Sequence, residues 1–337
     1  MAFSASGMVG LLMHVPTALF PIALGLAGVS AALTMAARSF EWTLLQVLAN
    51  GLLFAASIVL VIDVLLYLLK LVRDRAEVID DLSTADRANL IAPGLMAAML
   101  IGGVLAESSM FGGPVWLIAT LGHLVLLLRF VGQWLKRTYM PEDLNPTWFL
   151  PAAGIMTSAL SWPGYGSIVL PTFTFAIGAM LWIMLLPLVF RRLVFEPAIE
   201  PRLRPTLFIV AAPFGLFANA LVRLHPNTEP VIPAAFAFGG AFFILVLVAQ
   251  IRFLFAAGVS LSWWATTFPV ATVAAGLLRV GPELGNPVLV LGSGMLVLAC
   301  FMTVLAIIAT FRSAWRTCLK TVDDTRKDIA AMHGYRR

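Results

Sequence analysis

Charge is what this sequence has least of. Only 12% of its 337 residues are Asp, Glu, Lys or Arg, and 61% are hydrophobic; soluble globular domains carry roughly 25% charged residues. A soluble fold of this length would lack the polar side chains to cover its surface. Cysteine is nearly absent as well, with Cys300 in an apolar run and Cys318 in a basic stretch. On one continuous helix those two would lie about 27 Å apart, so a disulfide scaffold is excluded. Long polar regions are also missing. The longest run from Lys70 to Asn89 and beyond Arg312, which leaves no room for a soluble domain.

The absences extend to chemistry. There is no His-Glu-x-x-His, no pair of intramembrane aspartates, no Gly-x-Ser-x-Gly, no Walker sequence and no acidic cluster to hold a metal. Gly164 and Gly166 form a Gly-x-Gly within a turn-like stretch, without the strand and further glycine of a nucleotide site. The net charge of +5 comes without mixed basic and aromatic runs outside apolar segments, which argues against nucleic-acid binding. No enzyme, cofactor or metal site is expected.

What is present is a series of membrane-length apolar runs, since about 20 mainly apolar residues cross a bilayer as a helix. Ten candidates run over roughly 15–37, 43–69, 90–106, 114–135, 147–161, 168–190, 205–222, 231–251, 262–278 and 287–311. They divide the chain into a short N-terminus at 1–14, a membrane domain at 15–312 and a basic tail at 313–337. The fifth run is cut short by Trp162-Pro163-Gly164-Tyr165-Gly166.

Basic residues are distributed unevenly among the connections. Those after odd-numbered runs hold Arg38, Arg223 and Arg279, while the other nineteen, from Lys70, Arg73, Arg75 and Arg87 through Arg191 and Arg192 to the tail, follow even-numbered runs. Lys and Arg favour the cytoplasmic side. A multi-pass protein of the cell membrane, inner or plasma, with both termini in the cytoplasm is the expectation.

Proline follows the same odd and even rhythm. Pro16 and Pro21, Pro93, Pro151, Pro213 and Pro269 fall inside the odd runs, and from Pro21 onward they are 72, 58, 62 and 56 residues apart. That spacing is one helical hairpin each time. A proline inside a span frees a carbonyl, which lipid cannot satisfy, so such breaks belong where protein or a watery cavity covers them. The pattern predicts an all-α protein of ten transmembrane helices. Five helical hairpins would form a quasi-fivefold ring, with kinked odd helices around a central pore and straighter even helices outside.

Polar residues within the runs are few. Asp63 lies on the second run among Leu60-Val61-Ile62 and Val64-Leu65-Leu66 and reads first as a structural acceptor, with a proton or cation site as the other reading. His123 reads as a packed histidine donating to a carbonyl. Asn50 and Asn219 need one hydrogen bond across a helix interface. The odd runs hold no charge in their middle thirds, so the expected conduit is uncharged.

At the ninth run the sequence becomes specific. Trp263-Trp264-Ala265-Thr266-Thr267-Phe268-Pro269 resembles the ninth-helix signature of the tellurite-resistance/dicarboxylate transporter family. Pro16-Thr17-Ala18-Leu19-Phe20-Pro21 onward is similar to its first helix, and Arg204-Pro205-Thr206-Leu207-Phe208 onward to its seventh. The family includes plant guard-cell slow anion channels, fungal malate permeases and fungal sulfite pumps. The resemblance implies a trimer in which each protomer has its own pore and a ninth-helix phenylalanine, here Phe268, plugs it. Phe20, Thr267 and Phe214, close to the odd-helix prolines, are candidates for the pore wall. Phe20-Pro21 departs from the Phe-Gly usual in relatives. Two functions follow: a gated channel for small anions, or a secondary carrier of C4-dicarboxylates, sulfite or tellurite-related anions.

Overall fold

The structure is a computed structural model describing residues 17, 19–83 and 89–334, with side chains described except at 82–83 and 317–334. Pro16, Arg87 and the residues 1–14 lie outside the described residues, as do the side chains of Cys318 and of the tail cations beyond Arg316.

Every regular element among the described residues is helical. The membrane-length helices begin with α1 (Phe20–Phe40) and α2 (Thr43–Arg73). A short helix, α3 (Arg75–Ser83), and the 14-residue α4 (Ala92–Leu105) precede α5 (Gly112–Trp134). After a broken segment come α6 (Val169–Phe195), α7 (Ala212–Leu224), α8 (Val231–Ala249), α9 (Trp264–Leu284) and α10 (Asn286–Gly334). Among the described residues eight segments are long and apolar enough to cross a membrane, one of them Arg204–Leu224, where a 3-10 stretch leads into α7. The third and fifth expected spans are the exceptions. The third is the short α4, and the fifth is divided into helical pieces at 149–152, 154–156 and 157–160.

Burial separates two kinds of helix. The apolar stretches of α1, Arg204–Leu224 and Leu261–Leu284 are 72%, 67% and 83% buried, whereas those of α2, α5, α6, α8 and α10 lie between 17% and 39%. The second group exposes Phe54, Ile118, Ile183, Phe242 and Val297. Apolar side chains of that size facing outward are stable only against lipid or another apolar surface.

α2 shows why. It has Leu, Ile and Val on all sides, yet its buried residues are Ala49, Ala56, Asp63 and Lys70. That every-seventh spacing is a single narrow stripe, and it packs against α1, where Ser30 Oγ donates to the Ala49 carbonyl at 2.7 Å. At 31 residues the helix is about 46 Å long, more than the roughly 30 Å apolar core of a bilayer. Its buried Lys70 pairs with Asp81 at 2.6 Å and Glu77 at 3.0 Å of α3.

The prolines act differently from the expected kinks. Pro21, Pro93 and Pro213 stand in the first turn of α1, α4 and α7, where a missing N–H costs nothing. They mark where the α-helix starts. Only Pro269 of the five lies inside a long helix, and Pro151 sits in a four-residue piece. α5 supports that broken fifth segment. Trp116 Nε1 donates to the Ser158 carbonyl at 3.0 Å, Thr120 Oγ1 to Ser158 Oγ at 3.1 Å, and His123 Nε2 meets the Pro151 carbonyl at 3.1 Å. Residues 116, 120 and 123 share one helix face. His123 is thus the packed histidine expected.

Candidate functional site

Two cavities open toward opposite ends of the buried helices. One, of about 380 Å³, is bordered by the C-terminal halves of α1, α4, α7 and α9 and by Leu160–Trp162 of the broken segment's end. The other, of about 520 Å³, is bordered by the opposite ends of the same five segments, through Pro21, Pro93, Leu150, Ala212 and Pro269. The five segments therefore run in parallel, and each contributes to both cavities.

Phe268 borders both cavities and is 3% exposed. Its ring packs on α1, and the helix that carries it is held from several directions. Gly28 of α1 presents bare backbone to it, so that a Cβ there would lie 2.7 Å from the ring. Gly25 faces Thr267 and Trp264, and Gly215 of α7 faces the Thr272 backbone. Small residues let helices approach closely in membranes. Trp264 Nε1 donates to Thr310 Oγ1 of α10 at 2.8 Å, and Trp263 Nε1 to the Gly258 carbonyl at 3.2 Å. Pro269 offers no N–H to the Ala265 carbonyl, and Ala265 borders the larger cavity, where water can satisfy that oxygen.

The smaller cavity is basic. Arg38, Arg223 and Arg279 border it, with Glu107 on its wall. Arg279 Nε donates to Asn219 Oδ1 at 3.2 Å, while Asn219 Nδ2 donates to the Gly215 and Thr272 carbonyls at 2.8 and 2.9 Å. One amide thereby ties α7 to α9 and aims a guanidinium. Arg223 donates through Nε at 2.8 Å, and also through Nη2, to the Trp162 carbonyl. No described carboxylate forms an ion pair with any of the three. The sequence predicts an uncharged conduit, and in it these arginines mark orientation alone. Those three are the whole set that follows odd-numbered runs, and that shared exception was the signal.

The other anticipated residues are placed as follows. Pro21, Pro93 and Pro269 border the larger cavity. Thr267 is buried against Gly25, its hydroxyl donating to the Trp264 carbonyl at 2.8 Å. Phe20 packs on Gly94 and edge-on against Tyr67, with ring centroids 5.9 Å apart. Phe214 turns away from both cavities, against Trp182 at 4.7 Å and Phe243 at 5.4 Å. Pro151 and Pro213 border neither cavity. Asp63 is 2% exposed on α2, and its Oδ2 has no hydrogen-bond partner among the described residues, unlike the bonded acceptor expected. Among the described residues no group of three or more His, Cys, Asp or Glu could hold a metal.

Buried parallel segments meet at an aromatic ring that borders two cavities, and the helices packed against them expose apolar side chains. Residues 14–317 match the SLAC1 family, described as voltage-dependent anion channel, and the chain belongs to that family. It is 28% identical over 265 residues to the tellurite resistance protein TehA homolog of Haemophilus influenzae, covering 77% of this chain and 79% of that one. The S-type anion channel SLAH2 of Arabidopsis thaliana is 26% identical over 172 residues, half of this chain and 33% of its own length. An uncharacterized transporter of Methanocaldococcus jannaschii, MJ0762, is 24% identical over 255 residues, 66% of this chain and 73% of that one. The family is one of channels and transporters, not enzymes, and its members include anion channels.

Proposed function

We propose that this chain is a gated anion channel whose central path joins the two cavities and is closed by Phe268. The observation that carries the reading is that one buried aromatic ring borders both cavities, of which one is lined by three arginines that form no ion pair with a described carboxylate, against the single exposed carboxylate of Glu107. An apolar ring in a narrow passage excludes water, and an ion cannot cross a dewetted constriction cheaply. Swinging the ring aside rehydrates the path. Arginines at one mouth concentrate anions and repel cations.

The architecture proposed is ten membrane segments arranged as five hairpins in a quasi-fivefold ring, within a membrane domain at 15–312. The burial contrast between odd and even helices supports it, as does the parallel course of the five inner segments. Lipid covers the even helices. Trimeric assembly follows from the family resemblance alone. The nineteen-to-three distribution of Lys and Arg supports a reading with the arginine-lined cavity outside and both termini in the cytoplasm of a cell-membrane protein. A cysteine at Ser83 should therefore react with an impermeant reagent only from the cytoplasmic side.

The coupled-carrier reading asks for a protonatable group in the pathway. Asp63, the carboxylate nearest that role in the sequence, borders neither cavity, and the carboxylates that do border one, Glu107, Glu142, Asp143 and Glu200, are exposed, which favours the channel. The deciding experiment is current across planar bilayers containing purified protein, with the anion substituted on one side. Phe268→Ala should raise anion conductance well above the parent, and reversal potentials should follow the anion gradient. A folded, inserted Phe268→Ala protein conducting no better than the parent would refute the gate.

A further inference from the structure

The larger cavity contains a cation that the mechanism above leaves unused. Arg192 stands in the last turn of α6, one of the lipid-facing helices, yet its side chain turns inward and is 9% exposed. It borders the cavity beside Thr206 and Ile199. Its Nη1 donates to the Pro197 carbonyl at 2.8 Å, and its Nε is buried with no hydrogen-bond partner among the described residues. Nη2 is left as the nitrogen that can meet a ligand. Glu142, Asp143 and Glu200 border the same cavity from exposed positions, but none forms an ion pair with Arg192 among the described residues.

A nine-tenths-buried guanidinium without a carboxylate is costly, because its lost hydration is not repaid by a fixed opposite charge. The missing partner must come from the cavity. Water alone supplies acceptors but no countercharge. A small anion supplies both, and the Pro197 bond holds the guanidinium plane ready for it. We propose that Arg192 is an anion-binding station of the larger cavity, taking a small monovalent anion such as chloride or nitrate. This inference rests on the anion-channel reading and deepens it. Arg279 in one cavity and Arg192 in the other then flank Phe268, and a permeating ion exchanges one guanidinium for the next. Conduction needs such sites to be strong enough to enter and weak enough to leave.

The competing role is a structural clamp on the turn at Pro197, and two substitutions separate the two. Arg192→Lys keeps the charge and loses the planar bond to Pro197, whereas Arg192→Gln keeps a donor for that carbonyl and loses the charge. In the conducting Phe268→Ala background, chloride is varied on the side of the larger cavity and the half-saturation of conductance is read. A lost charge-assisted contact should weaken half-saturation roughly tenfold in Arg192→Gln, with Arg192→Lys close to the background protein. A binding readout free of conduction accompanies it. Chloride, compared with gluconate at equal ionic strength, should raise the melting temperature of purified protein, less so in Arg192→Gln than in Arg192→Lys.

If both variants fold and Arg192→Gln matches the background in both measurements, the station is refuted while the channel stands. A loss in Arg192→Lys as large as or larger than that in Arg192→Gln also refutes it, in favour of the clamp. If Phe268→Ala carries no anion current but chloride stabilisation still follows the charge at 192, the station survives and the channel reading falls.

Discussion

Gly28 and Phe268 meet so closely that a single methyl group added to the glycine would lie 2.7 Å from the phenylalanine ring. The ring borders both cavities, so whatever moves it moves the barrier between them. Gly28→Ala should therefore push the ring aside, since the helix backbone beneath the new methyl has less freedom than a side chain. Overpacking of this kind costs about 1–3 kcal/mol. Conductance should rise above the parent but stay below Phe268→Ala. Adding Gly28→Ala to Phe268→Ala should bring no further gain, because the two changes act on one contact. Unchanged current in a folded Gly28→Ala protein would show that the ring at Gly28 is not the constriction.

Asp63 provides the test of proton coupling. Its Oδ2 has no partner among the described residues, and the side chain is buried and borders neither cavity. An unpaired buried carboxylate is expensive, so Asp63→Asn should leave melting temperature unchanged or raised and anion current intact. A folded Asp63→Asn protein without flux would return the carboxylate to the pathway and favour the carrier.

His123 bears on the broken fifth segment. Its Nε2 meets the Pro151 carbonyl, an oxygen that lipid could not satisfy. His123→Phe removes that partner and should cost about 1–3 kcal/mol, the penalty of an unsatisfied buried acceptor. His123→Gln, which can still donate, should recover part of it. Melting temperatures of the purified variants give the comparison; equal stability of His123→Phe and parent would show that Pro151 finds another donor.

The parts of this molecule written in local chemistry were legible in its sequence. Apolar length located the helices, and proline at hairpin intervals separated α1, α4, α7 and α9 from their partners, because only buried or watered backbone tolerates those residues. The proline geometry was less legible. Pro21, Pro93 and Pro213 start α-helices instead of bending them, and the same residue type serves both purposes. Side-chain direction was not legible either. Phe214 follows a pore-helix proline, yet its ring joins an aromatic cluster with Trp182 and Phe243, since one residue along a helix turns a side chain by about 100°. The arginines were visible as a count and hidden as a site. Arg38, Arg223 and Arg279 lie on helices far apart in the chain, and only the packing of α1, α7 and α9 gathers them around one cavity.

Arg279 is the member of that group whose neutralisation should matter most. It is held by Asn219, which itself bridges α7 and α9, so its charge occupies a fixed place on the wall bordering Phe268. Arg38, by contrast, is exposed and shares its field with bulk solvent. Charges separated by more than about 8–10 Å of salt solution are largely screened at physiological ionic strength. Arg279→Gln should thus lower the anion-to-cation permeability ratio and reduce conductance at low salt, with the defect shrinking as salt is raised. Arg279→Lys should keep most of the selectivity, because the field of a charge, and not the shape of a guanidinium, attracts a small anion at a distance. Arg38→Gln should shift current at low salt only slightly. Reversal potentials under a chloride gradient, measured for the three variants at low and high salt, give the ordering. If Arg279→Gln keeps full anion selectivity at low salt, the arginine-lined cavity does not select the ion, and selection must arise at Phe268 or on its other side.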